Sequence, residues 1–588
     1  MKIQTIICFF LLLFSFQLSS QEWQQKIDAE VLAELELGAT TEVIIAFKEQ
    51  ADLSAAYQLK TKKEKGQFVY EQLQKVSERS QMSVKTILEE AHQPYRSLAI
   101  VNAILVDVDL KLAKQILAQT TVKNIQPNPW TAFDAPVFDR SLTTTARGGD
   151  TEWGISNIQA DLVWNMGFEG EGVIVGGQDT GYEWDHPAIK EKYRGWDGEN
   201  ADHNYNWHDA IHEIDSLHND TIISPDNNPC GLDSSFPCDD HNHGTHTMGT
   251  MTGGQDTEAG ELKIGVAPMA KWIGCRNMER GWGSPASYIE CFDWFLAPTD
   301  LNGENADPDA APHVINNSWG CPPIEGCNPD NFELMEIALN TLRASGVVVV
   351  VSAGNSGPGC NSVDDPSAIF EGAFTIGASN RRDSIAGFSS RGSVAVDSSF
   401  RLKPNVVAPG VGVRSSTRGG NYATWNGTSM AGPHVAGAVA LIISAAPHLA
   451  GQVDTIEAIL EATTLQLLSE QDCDQYPGMA IPNATYGYGR IDVFAAVMRA
   501  LDVVAVDEKE AVKVALFPNP ASESIWIKGW TGNAEAQFTL FDMNGRKLLS
   551  HPINSVSEKI ELPVVAKGLY HYRLEGNHLL KVGKLVIQ

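Results

Sequence analysis

Basic residues are scarce in this 588-residue chain: 43 Lys and Arg stand against 73 Asp and Glu, for a formal net charge of -30. Such a surface repels nucleic acid phosphates and anionic membrane faces, so neither is expected as a partner. Beyond the first twenty residues no run reads as long and apolar enough to span a bilayer, so no transmembrane segment is expected. Cysteine is missing from residues 9–229 and 474–588, which confines disulfides to the middle of the chain. No repeat of fixed period and no low-complexity block occurs. The stretch HEIDSLH at 212–218 fails the metalloprotease pattern, because Ser216 and not His stands four residues after His212.

What is present describes an exported globular protein. Hydrophobic residues make up 43% and charged residues 20%, and the length calls for about three or four domains. Residues 1–20, MKIQTIICFFLLLFSFQLSS, carry Lys2, an apolar centre and a small-residue exit, the pattern of a secretory signal peptide. Cys8 leaves with that segment. Eight cysteines remain, an even number that in an exported chain favours disulfides over metal thiolates. Their pairing is open, with the close spacings favouring Cys230 with Cys238 and Cys321 with Cys327.

Residues 41–130 read as strand, helix, strand, helix, strand: TEVIIAF, a Lys/Glu/Gln-rich stretch to about His92, LAIVNAILVDVD, LKLAKQILAQ and VKNIQPNPW. A Ser/Thr/Gly-rich linker at 138–154 follows, with Arg140 and Arg147 open to proteases. From 151 to about 500, continuous Val/Ile runs such as VVVVVS alternate with helical segments, which predicts an α/β fold with a parallel sheet covered on both faces. After the acidic stretch Asp507–Glu510, residues 511–588 alternate apolar and polar between Gly, Pro and Asn-Gly turns, predicting a small all-β sandwich.

Three polar residues stand at the ends of predicted buried elements. Asp179 closes VIVGGQD, His243 opens the small-residue stretch HGTHTMGT, and Ser429 opens TSMAGPHVAGAVALI. Each has an ordinary reading: a turn aspartate, a core histidine, and a helix cap at Thr428 or Ser429 with Pro433 tolerated in the first turn. Taken together they supply a nucleophile, a base and an orienting acid, in one of the standard chain orders of serine hydrolases.

The chain resembles the subtilisin-like serine proteases, the subtilases. The match runs through DTG at Asp179–Gly181, HGTHTMGT at His243–Thr250, GVAP at Gly265–Pro268, NNSWG at Asn316–Gly320, SAGNSG at Ser352–Gly357, KPNVVAPG at Lys403–Gly410, NGTSMAGPHVAG from Asn426, and YGYGRID at Tyr486–Asp492. The resemblance implies a secreted endopeptidase in which Ser429 attacks the peptide carbonyl, His243 moves the proton and Asp179 orients His243. It assigns Asn355 and the Ser429 N–H to the oxyanion, and Ser318, Trp319, Gly320, Ser352, Ala353 and Gly354 to substrate pairing. His246 and His434 are expected to be structural. No cofactor is required for the chemistry; structural calcium is compatible with the family, with no ligand set to name. His203, His208, His212 and His218 fall in a long interval between Asp179 and His243 that is expected to be a solvated, disulfide-trimmed insertion.

Residues 41–130 resemble a subtilase inhibitor propeptide, which would fold the enzyme, block its cleft and be cut off between 130 and 150. LFPNPASESIWI, FTLFDMNGR and GLYHYRL resemble the sorting domain of type IX secretion, implying passage through the periplasm to the outer surface or beyond. A catalytically silent binding or adhesion protein on the same scaffold is the rival reading; Asp179, His243, Ser429 and Asn355, all present, weigh against it.

Overall fold

The computed structural model describes residues 23–129, 131–132, 137–138, 151–214, 228–257, 260–320, 332–507, 515–528, 536–542, 546–553, 557–576 and 579–588. The expected signal peptide, most of the linker, His218, Cys321 and Cys327 lie outside them.

Helix α1 (Ala29–Glu36) starts where the Asp28 carboxylate accepts from Glu30 N at 2.8 Å. Strand β1 (Thr41–Phe47) follows, then α2 (Lys62–Glu90), which opens with a reciprocal Thr61–Glu64 capping box. Strands β2 (Tyr95–Leu98) and β3 (Ala103–Val108), helix α3 (Leu110–Leu117) and β4 (Val122–Pro127) complete an antiparallel sheet in the order β2-β3-β1-β4. The run expected as one strand, LAIVNAILVDVD, holds only the last residue of β2, then a turn, then β3. Ala99–Val101 form a tight turn and Asn102 takes φ 46°, a left-handed conformation that asparagine tolerates, so β2 folds back on β3. Val43, Ile45, Ile104 and Val106 face α1 and α3, while Ile44, Ala46 and Leu105 face the central unit.

That central unit is built on seven parallel strands: β5 (Ile174–Asp179), β6 (Trp207–Asp209), β7 (Lys271–Arg276), β8 (Val314–Asn317), β9 (Val348–Ser352), β10 (Phe374–Ser379) and β11 (Val406–Pro409). Their order is β11-β10-β9-β8-β5-β7-β6. Alternation within a continuous apolar run feeds both faces. Val348 and Val350 join the cluster that holds α4 (His243–Thr252), whereas Val349 and Val351 join the one holding α5 (Pro285–Leu296) and α6 (Phe332–Ala344). The edge strand β6 comes from the histidine-rich insertion, with Trp207 2% exposed, so that insertion is in part a buried piece of the sheet and not only a solvated loop.

The antiparallel pair β12 (Val411–Thr417) and β13 (Asn421–Asn426) delivers the chain to α7 (Thr428–Ala445). By length and composition α7 could cross a membrane, which corrects the expectation that no such run follows the leader. It is a core helix: apolar on all sides and packed against α4, the sheet and α9 (Val493–Asp507), with α8 (Val453–Ala462) lying between them in the chain. Small residues let it approach closely. A Cβ on Gly437 would fall 2.6 Å from the Val266 side chain, and one on Gly249 of α4 2.1 Å from Ser416 Oγ.

Beyond α9, β14 (Ala515–Phe517), β15 (Ser524–Lys528), β16 (Ala536–Phe541), β17 (Lys547–Ile553), β18 (Ser557–Glu561), β19 (Gly568–Gly576) and β20 (Leu579–Ile587) form two antiparallel sheets, β14-β15-β18 and β17-β16-β19-β20. Ile525, Ile527, Phe538, Leu540, Ile560, Leu574 and Leu585 fill the space between them. The expected α/β fold and the all-β sandwich are therefore both present. The sandwich is docked: the Arg573 guanidinium donates to Met166 O, and Phe541 packs into the central core.

Cys230 pairs with Cys238 as the spacing suggests, Cys275 with Cys291 ties β7 to the following helix α5, and Cys360 with Cys473 joins distant segments. The last closes a separation of 113 residues, so its loss enlarges the unfolded ensemble considerably. Replacing Cys360 and Cys473 together by serine is expected to cost about 2–4 kcal/mol, read as a lower unfolding midpoint of the central unit in urea.

Candidate active site

The carboxyl edge of the parallel sheet collects the polar residues singled out above, as open parallel sheets do. Asp179 ends β5 and is 1% exposed. His243 is the first residue of α4, and its Nδ1–H donates to Asp179 Oδ1 at 2.7 Å in a pair with almost no solvent access. Thr180 N at 2.7 Å and Thr247 Oγ1 at 3.2 Å also donate to the Asp179 carboxylate, so the acid is held by three donors. Asp239 fixes the start of α4. It accepts from Thr180 Oγ1 at 2.9 Å, Asn242 N at 2.9 Å and Thr245 N at 3.0 Å, tying the helix to the turn after β5.

Ser429 is the second residue of α7, and it is not a cap. Gly427 occupies the cap position without a side-chain bond. The Asn355 side chain caps the helix instead, its Oδ1 accepting from Thr428 N at 2.9 Å and Thr428 Oγ1 at 3.0 Å. With Oδ1 committed to donors, the Asn355 Nδ2 is the end of the amide available to an acceptor. Pro433 is not in the first turn either. It sits inside the helix, where its missing N–H leaves the Ser429 carbonyl without an i+4 donor. Ser318 Oγ donates to that carbonyl at 3.3 Å, and Ser429 Oγ donates back to Ser318 O at 3.3 Å. This reciprocal pair joins the residue after β8 to the start of α7.

A cleft opens above these groups, lined by Ser318, Trp319, Gly320, Ser352, Gly354, Asn355, Asp365, Thr428 and Ser429. Ala353, expected with its neighbours, is 1% exposed and does not line it; its N–H donates to Ile376 O at 3.0 Å, extending the sheet. Sequence reasoning missed Asp365 and Asp239. The acidic pair in VDDPSAIF, set between buried apolar residues, was the available signal for the first.

His246 and His434 are structural. His246 stacks on Trp425 at 4.4 Å and donates to Ala423 O, and His434 Nδ1–H donates to Met430 O at 2.8 Å. Elsewhere His208 and His212 both donate to Glu290, at 2.8 and 2.9 Å, and His203 meets the Tyr193 hydroxyl. Among the described residues no group of three His, Cys, Asp or Glu side chains converges to hold a metal ion, so no calcium ligands are assigned.

Comparison with known proteins places the chain in a family. The model of the subtilase family matches residues 170–489, more than half of the chain. The chain belongs to the subtilase family. A secretion system C-terminal sorting domain matches residues 515–588, which makes this subtilase a secreted or cell-surface protein. Bacillopeptidase F of Bacillus subtilis is 32% identical over 516 residues, covering 82% of this chain and 33% of that protein. An alkaline protease of Shouchella clausii is 32% identical over 305 residues, 52% of this chain and 62% of its own length. Subtilisin Savinase of Lederbergia lenta is 32% identical over 291 residues, 49% of this chain and 83% of its own. The chain thus spans about a third of Bacillopeptidase F and under two thirds of the alkaline protease.

Burial holds the His246 imidazole down to about 3 and that of His434 to about 4. Both lie below the ordinary value of 6.5, so between about pH 6.5 and pH 4 the unfolded chain binds more protons at these positions. Their contribution to stability is therefore complete above about pH 6.5 and falls as pH falls. The thermal midpoint is expected to drop between pH 7 and pH 5, and to drop less in His434→Gln, a comparison that differential scanning fluorimetry makes directly.

Proposed function

We propose that this subtilase is a secreted serine endopeptidase acting through Asp179, His243 and Ser429 by an acyl-enzyme. The observation that carries the reading is the buried Asp179–His243 bond at the end of β5, with Ser429 held to Ser318 just past the end of the neighbouring strand β8. Asp179 accepts from Nδ1–H, which leaves Nε2 as the basic nitrogen of the ring. The Ser429 Oγ attacks the peptide carbonyl while its proton passes to Nε2. The oxyanion that forms is met by Asn355 Nδ2 and the Ser429 N–H, and by the positive end of α7. Collapse breaks the C–N bond, and the departing amine takes the proton from His243. Water, deprotonated by the same imidazole, then releases the acid and restores Ser429.

Substrate backbone is held by Ser318–Gly320 on one side and Ser352–Gly354 on the other, as an added strand whose affinity comes from the main chain. The N-terminal unit acts as an intramolecular inhibitor in this reading. Thr131–Ala132 pair with Trp282–Gly283, and Val137–Phe138 pair with Trp425–Asn426 just before the serine, so its exit segment runs close to the start of α7. The body of the unit is anchored on α5 and on the turn before α8, with Ile100 N donating to Asp293 Oδ1 at 2.7 Å and Lys65 Nζ to Gly451 O at 2.7 Å.

A fluorophosphonate probe is expected to label Ser429 in the matured protein and to leave Ser429→Ala unlabelled and unprocessed at full length. Absence of label in protein freed of residues 41–130 would favour a binding scaffold. Peptide hydrolysis is expected to fall about 10⁶-fold in Ser429→Ala and about 10²–10³-fold in Asn355→Ala, measured as kcat on one fluorogenic peptide.

A further inference from the structure

Helix α4, which carries His243 as its first residue, starts without a cap of its own. Asn242 occupies the cap position at φ 89° and makes no capping bond; its Oδ1 accepts from Arg418 N at 3.1 Å instead. The acceptor for the start of the helix comes from further back in the chain. Asp239, 3% exposed, takes the N–H groups of His241, Asn242 and Thr245 at 2.9, 2.9 and 3.0 Å. It also takes two hydroxyls, one on each oxygen. Thr180 Oγ1 donates to Oδ1 at 2.9 Å, and Thr245 Oγ1 donates to Oδ2 at 2.6 Å. These hydroxyls stand on the two segments that carry the buried pair, Thr180 next to Asp179 and Thr245 in the first turn of α4. Each accepts an N–H from the opposite segment, Thr180 Oγ1 from Gly244 N at 3.1 Å and Thr245 Oγ1 from Glu183 N at 3.0 Å. A hydroxyl has a single proton, so pointing it at Asp239 turns the lone pairs toward those N–H groups. One carboxylate thereby orients both crossings between the turn after β5 and the start of α4.

From this geometry we infer that Asp239 is a positioning residue for the proposed reaction, fixing His243 against Asp179 through the hydroxyls of Thr180 and Thr245. The inference rests on the endopeptidase reading. Thr180 reaches both members of the pair: its N–H donates to Asp179 Oδ1 at 2.7 Å, and its hydroxyl holds Gly244, the residue after His243. Slack in the first turn of α4 falls on the imidazole, because His243 opens the helix. The helix itself has another hold, since every residue from His243 to Thr252 is buried in the packed interior. Loss of the Asp239 carboxylate therefore loosens the pair and leaves the helix in place. Proton transfer is sensitive to such slack, and a misplacement of about 1 Å can cost about 10²-fold in rate. Asparagine does not replace the acid. Three donors face Oδ1 and two face Oδ2, so an amide sets its own N–H groups against one set or the other.

The test compares matured wild type with Asp239→Asn, Thr180→Val, Thr180→Ser and the double variant Asp239→Asn, Thr180→Val on one fluorogenic peptide. Fluorophosphonate, reacted to completion at Ser429, counts active molecules in every sample. We expect kcat to fall about 100-fold in Asp239→Asn with KM kept within about threefold, because the substrate-binding strands are untouched. Thr180→Val should lose at least about tenfold in kcat, and Thr180→Ser, which keeps the hydroxyl, should stay within about threefold of wild type. The double variant should fall little below Asp239→Asn alone, since both changes break the same crossing. Unchanged kcat in Asp239→Asn, a loss confined to KM, equal kcat in Thr180→Val and Thr180→Ser, or losses that multiply in the double variant would overturn the assignment and leave the endopeptidase reading intact. A wild type that neither cleaves the peptide nor takes the label would overturn both. Should Asp239→Asn stay unprocessed, the comparison moves to the full-length chain carrying Ser429→Ala, with and without Asp239→Asn, and to the downfield proton resonance of His243 Nδ1–H. A resonance shifted or lost to solvent exchange while cooperative unfolding is kept supports the assignment, and an unmoved resonance overturns it. If Asp239→Asn shows no cooperative unfolding, Thr180→Val against Thr180→Ser decides.

Discussion

Everything at this site depends on how closely α7 can lie against the sheet edge and α4. The two helices start near the same carboxyl edge, and each is pressed onto neighbouring atoms where a side chain would collide. A Cβ on Gly244 would fall 2.0 Å from Gly181 O, and one on Gly432 2.9 Å from Asn316 Oδ1. Dispersion and burial along α7 hold it there, since nearly every residue from Thr428 to Ala445 is out of water. A serine on a helix less tightly placed would be an ordinary hydroxyl.

Close packing of this kind leaves buried polar groups that must be satisfied, and the satisfaction is what orients the chemistry. Asn355 caps a helix whose own cap residue has no side chain, and in doing so turns its amide. Pro433 removes one helix bond, and Ser318 supplies the missing donor while receiving the Ser429 hydroxyl. Asp179 takes bonds from three residues, Thr180, His243 and Thr247. Structural needs and the proposed catalytic needs are met by the same atoms, which limits how far these side chains can wander.

Much of this is legible in the sequence because it is local. The runs VVVVVS and VIVGGQD announce buried parallel strands by being apolar without alternation, and the Gly/Ala spacing around Ser429 announces a helix in close contact. The hairpin at Asn102 is hidden, since a strand-like pattern continues through the turn and only the left-handed residue interrupts it. The roles of Thr428 and Pro433 escape the pattern because the helix begins at Thr428, one residue before Ser429, and helix ends are the least certain part of any periodicity. Asp239, Asp365 and the Cys360–Cys473 pairing depend on contacts between distant segments, which periodicity does not encode.

The disulfide between Cys360 and Cys473 encloses both Asp365 and Ser429 in one covalent loop. That loop also carries the turn at Asn380–Ser384, with Arg381 and Arg382 exposed on its surface. A cut there opens the chain but releases nothing, because the two ends stay linked through sulfur and through the sheet. A single nick in that turn is thus a break in the backbone and not the loss of either fragment.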